Sequence, residues 1–180
     1  MNDLEVFALV ALLIITAFYL ANRYNKEGKL KDDSVKIDTV LHELTKFEMN
    51  AIPDRKHGFT EKDVQVALQK FFSKHFVTFY REYALEGINV KQIDFDLGKG
   101  RVGIEVKLAR EIIKEGSWDR ALGQINKYAK KKYVNGNLIV LVAGNEEERE
   151  SFKLREFERD VKDAGAVYSY LLIKNNEVQA

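Results

Sequence analysis

The spacing of apolar side chains changes period several times along the chain, and each change marks an element. Ile37, Val40, Leu44, Phe47 and Ala51 recur at alternating three- and four-residue steps, the stripe of one helix face. Pro53 and the polar run that follows it close that segment. Thr60 then reads as an N-cap, with Asp63 at the capping-box position and Phe59 and Val64 as an apolar staple. Val64, Leu68, Phe71, Phe72 and then His75 or Phe76 carry one helix face to about residue 75. A β-rich stretch over 76–88 precedes a hairpin: apolar and polar positions alternate through 92–97 and 102–108 around Gly98-Lys99-Gly100. With Lys99-Gly100 as a two-residue loop, Asp94 stands opposite Glu105.

A second helix starts at Ser117, and Asn135-Gly136 turns the chain into the continuous apolar run 137–144, a strand covered on both faces. An amphipathic helix with an acidic start over 146–165 and a last strand over 166–173 complete the order α-β-β-β-α-β-α-β. That order predicts an α/β fold, a mixed sheet with helices on its faces.

The N-terminal pattern is different in kind. No charge interrupts Val6 to Ala21, and extending to Leu4 and Asn22 adds only Glu5. A helix needs roughly 20 mainly apolar residues to span hydrocarbon, and a core helix would show a polar face. Residues 4–22 therefore predict a transmembrane helix. A cleaved signal peptide is the rival, but no lysine or arginine precedes the apolar run. Arg23, Lys26, Lys29 and Lys31 follow it, which puts the remainder in the cytoplasm. The expected organisation is an anchor at 1–22, a charged linker and amphipathic helix at 23–56, and a folded domain at 57–180. The amphipathic helix is expected to dock on the domain, with homodimerisation through it as the alternative.

Composition narrows the chemistry. Among 180 residues there is no cysteine, which excludes disulfides and thiolate zinc sites, and His42, His57 and His75 lack ligand-like spacing. The formal charge of +1 means that any affinity for nucleic acid must come from local clusters. Arg120, Lys127, Lys130, Lys131 and Lys132 form the densest one, a candidate phosphate-neutralising surface or simply a solvated helix face.

The hairpin holds the strongest candidate chemistry. Period two sorts Gln92, Asp94, Asp96, Gly103, Glu105 and Lys107 to one face and Ile93, Phe95, Leu97, Val102, Ile104, Val106 and Leu108 to the other. A hairpin with one solvated face shows the same alternation. Yet opposed acids repel, and a divalent cation reverses that sign. Mg²⁺ (or Mn²⁺) takes oxygen ligands and retains waters, so two converging carboxylates, Asp94 and Glu105, suffice. Lys107 would offset phosphate charge, a role that asks less of its pKa than deprotonating water.

Asp94, ten intervening residues and then Glu105-Val106-Lys107 resembles the signature of the PD-(D/E)xK, restriction-endonuclease-like nuclease superfamily. Gln124 and Tyr128 resemble the Q-x-x-x-Y helix of its RecB-type and lambda-exonuclease-like branch, and Mrr-type relatives are also similar. The resemblance covers roughly residues 57–145 and implies an αβββαβ core. It implies catalysis by Asp94, Glu105, Lys107 and Gln124, with the Val106 backbone carbonyl as a further metal ligand and Glu61 as either another or simply a favourable charge in a helix first turn. It also implies nucleic-acid contacts from Arg120, Lys127, Tyr128, Lys130 and Lys131. The expected function is a membrane-anchored, metal-dependent nuclease acting on DNA ahead of RNA. The alternative is a non-catalytic module tethering nucleic acid or protein at the membrane.

Overall fold

The computed structural model describes residues 28–47, 58–84, 92–114 and 117–173, together with Ile15. The rest of the expected anchor at 4–22, and the end of the first stripe at Ala51, lie outside the described residues. Among the described residues no helix is long and apolar enough to cross a membrane.

The element order is α1 (Ile37–Leu44), α2 (Glu61–His75), β1 (Phe79–Ala84), β2 (Gln92–Leu97), β3 (Val102–Leu108), α3 (Ala109–Ile113), α4 (Ser117–Lys131), β4 (Leu138–Gly144), α5 (Glu146–Arg149), α6 (Phe152–Asp163) and β5 (Val167–Leu172). The strands form one five-stranded sheet in sequence order. β1, β2 and β3 are antiparallel neighbours, whereas β4 and β5 add in parallel to β3. The fold is thus mixed α/β, with a mixed sheet as expected.

A core lies on each face of that sheet. On one side α1 and α2 bring Val40, Leu44, Val64, Leu68 and Phe72 against Phe95, Leu97, Ile104 and Val106. On the other, α3, α4 and α6 bring Ile112, Ile125, Tyr128, Leu154 and Phe157 against Val140 and Val142. β4 is wholly buried because its alternate residues feed both cores.

Several local expectations change. α1 stops at Leu44, where the Thr45 hydroxyl donates to the His42 carbonyl at 2.7 Å and competes with the helix. Phe47 still packs edge-on against Phe71. The run 146–165 is two helices: Asn145 and Glu148 form the capping box that opens the short α5, which ends at Arg149, and α6 restarts at Phe152. The hairpin loop has four residues, not two. Gly98, Lys99 and Gly100 all take positive φ, and the Asp96 carboxylate accepts the Gly100 N–H at 2.6 Å. Each strand gives up one residue to the loop, so the register survives: Leu97 faces Val102, Asp96 faces Gly103 and Phe95 faces Ile104.

The strict sorting of β2 does not survive. Ile93 belongs to the core beneath α4, while Phe95 and Leu97 belong to the opposite one. A Cβ built on Gly103 would lie 2.6 Å from Ile93, so Ile93 points to the Gly103 side. The alternation inverts around Asp94, where the regular ladder to β3 has ended.

Candidate active site

Beyond the Phe95–Ile104 pair the two strands part, and Asp94 fills the opening. Its Oδ2 accepts the Val106 N–H at 2.7 Å, and its Oδ1 accepts the Gln65 side-chain amide of α2 at 2.8 Å. Val106 thereby directs its N–H toward β2. Its carbonyl projects toward the same edge, as N–H and C=O of one strand residue do.

Glu105 lies next to this opening and is 3% exposed. Its Oε1 accepts Lys107 Nζ at 2.7 Å, whereas its buried Oε2 has no hydrogen-bond partner among the described residues. An unpaired buried carboxylate oxygen is costly. Glu61, in the first turn of α2, joins the same electrostatic cluster.

Burial, then the neighbouring Glu105, pushes the Asp94 carboxyl up to about 7 against the opposing pull of Lys107. Glu105 is also raised, because burial outweighs its ion pair with Lys107. Glu61 is raised by burial too. Burial alone would lower Lys107, but Glu105, Glu61 and Asp94 together raise it. Lys107 is therefore a held ammonium ion, suited to offsetting negative charge rather than to removing a proton.

A hard divalent cation would take such a donor set: a buried and a half-buried carboxylate, one with an oxygen unpartnered among the described residues, and a strand carbonyl directed to the same edge. Among the described residues no group of three or more histidine, cysteine, aspartate or glutamate side chains is gathered as a metal cage. Water would therefore have to complete the coordination.

The other candidates divide. Tyr128 is buried and donates its hydroxyl to the Gln92 carbonyl at 3.3 Å. Its ring packs in the core beneath α4, beside the acids. Proximity to Glu105 and Asp94 adds to burial in raising its phenol. Gln124 lies one turn earlier on α4, half-buried. Arg120, Lys127, Lys130 and Lys131 are exposed along the same helix. Asp96 is a structural acid, held by the Tyr133 hydroxyl at 2.6 Å and by the hairpin loop.

Sequence reasoning missed Gln65 and Arg81. Arg81 donates to Gln69 Oε1 at 2.9 Å and to Gln65 Oε1 at 3.3 Å. The available signal was the polar i, i+4 row Glu61, Gln65 and Gln69 on α2, which also reads as a solvated face. Comparison with protein-family models, curated proteins and solved structures finds no match.

Proposed function

We propose that this protein is a divalent-metal-dependent nuclease hydrolysing phosphodiester bonds, of DNA ahead of RNA, on a restriction-endonuclease-like αβββαβ core. The observation that carries the proposal is the buried Glu105 set between half-buried Asp94 and Lys107, with Glu105 Oε2 left without a partner among the described residues. An acid pair that only stabilised the fold would have no reason to stay desolvated and mutually repelling.

Asp94, Glu105 and the Val106 carbonyl would hold Mg²⁺ or Mn²⁺, which would polarise a phosphoryl oxygen and ease proton loss from the attacking water. Lys107 contributes a fixed positive charge where the phosphorane-like transition state gathers negative charge. Its bond to Glu105 Oε1 aims the ammonium group and leaves Oε2 to the metal. Gln124 would line the approach on α4, and the exposed lysines of that helix would neutralise the flanking phosphates. Residues 4–22 would hold the domain at a membrane from its cytoplasmic side.

The test is incubation of the full chain in detergent with plasmid and linear DNA and with RNA, under Mg²⁺, Mn²⁺ or chelator. The proposal expects metal-dependent cleavage that Glu105→Gln abolishes. Absence of cleavage under every condition, or cleavage that Glu105→Gln retains, would refute it. Salt-sensitive binding without cleavage would favour the tethering module instead.

A further inference from the structure

The three side chains Arg81, Gln65 and Asp94 form a directed chain from the outer strand of the sheet into the acid opening. A glutamine amide can be read in either orientation, but here its partners decide. The Arg81 guanidinium is donor-only, so the atom of Gln65 facing it is the carbonyl Oε1, at 3.3 Å. The Nε2 group is then turned toward Asp94 Oδ1, at 2.8 Å. Gln65 is 8% exposed, so water competes little for either bond.

The chain constrains Asp94 from both sides. One oxygen is tied to the Val106 N–H and the other to Gln65, which fixes the plane of the carboxylate and hence the direction of its remaining lone pairs. The arrangement carries a cost elsewhere: the buried Arg81 Nε has no partner among the described residues. A buried orphan donor on a charged group is destabilising. Replacing Arg81 and Gln65 by apolar residues would remove that penalty, yet the chain places an oriented arginine–amide pair behind one carboxylate.

We infer that Gln65 is a positioning residue for Asp94, and that Arg81 acts on the site only through Gln65 by setting the direction of its amide. The inference rests on the metal-dependent reading of the acid pair. Groups that orient a ligating carboxylate typically change metal affinity by about 10- to 100-fold when removed. Gln65 touches neither metal nor substrate, so its loss would act on the metal and on turnover rather than on nucleic-acid binding.

The test is calorimetric titration of Mn²⁺ into the full chain, paired with kcat and KM on DNA, after circular dichroism has shown that each variant is folded. The variants are Gln65→Met, Gln65→Leu, Arg81→Met and the double variant Gln65→Met/Arg81→Met. The expected result is Mn²⁺ binding about tenfold weaker in both Gln65 variants, with kcat lowered and KM for DNA unchanged. Arg81→Met would weaken binding less, and the double variant would match Gln65→Met alone, because one residue works through the other. Mn²⁺ binding within twofold of wild type in both Gln65 variants, while Glu105→Gln abolishes it, would overturn the positioning role and leave the metal site standing. Independent, multiplying losses in the double variant would overturn the role of Arg81. A wild-type protein that binds no Mn²⁺ would overturn both this inference and the reading beneath it.

Discussion

The Asp94 carboxylate accepts the Val106 backbone N–H at 2.7 Å, standing in for a rung where the ladder between β2 and β3 stops. One side chain thereby does two things. It satisfies a strand N–H that would otherwise be left open. It also brings an acid from β2 alongside the Glu105-Val106-Lys107 segment of β3, where Glu105 is buried. Glu105 Oε2 faces no donor among the described residues.

The pH dependence of stability follows from that burial. Asp94 is raised from 3.8 to about 7 in the folded chain. Between those values the folded state keeps a proton that the unfolded state has released, so this contribution falls as pH rises. Asp94→Asn removes it. In urea denaturation without metal, Asp94→Asn should gain on wild type by about 2–4 kcal/mol between pH 4 and pH 8. A constant difference across that range would show that Asp94 is not held in a desolvating site.

Lys107 compensates for the burial of Glu105 and has its own signature. Lys107→Met leaves the Glu105 carboxylate without its cation and should cost about 3–5 kcal/mol near neutral pH. Adding Glu105→Gln to that variant should recover most of the loss, since a neutral pair has little charge to desolvate. Denaturation midpoints of the single and double variants check this directly, and additive losses would contradict it.

Gly103 is required by packing rather than by backbone conformation. A Cβ there would fall 2.6 Å from both Ile93 and the Tyr133 ring. Tyr133 cannot easily yield, because its hydroxyl is bonded to the buried Asp96 at 2.6 Å. Gly103→Ala should destabilise the fold by about 1–3 kcal/mol, read as a lower denaturation midpoint.

If the exposed face of α4 carries phosphate contacts, salt will reveal them. Replacing Lys127, Lys130 and Lys131 together by glutamine should reduce the slope of log affinity against log salt for duplex DNA by about 2–3. An unchanged slope would return those lysines to the solvated face that sequence alone equally allows.

How much of this was legible depends on the range of the signal. Glu105 and Lys107 could be read because period two and a register that survives a longer loop assign their side of β3. The double burial of β4 was equally plain from its unbroken apolar run. Ile93 was not, since its inversion follows from the strands parting, and no local pattern encodes that. Gln65 and Arg81 were not, because a polar row on a helix looks the same whether it meets water or a carboxylate from a strand 29 residues away. Tyr128 was half-legible: its helix face was clear, but the face alone does not distinguish a core from a cleft.

The metal site that Asp94 and Glu105 would form is tested most directly by a single diffraction measurement, an anomalous difference map from crystals of the protein grown with Mn²⁺. The expected result is a peak between the two acids, with one oxygen of Asp94 and Glu105 Oε2 each within about 2.2 Å of it, close to the spacing of small divalent cations. A map with no peak there at millimolar Mn²⁺, or with Glu105 Oε2 turned onto a protein donor instead, would contradict it.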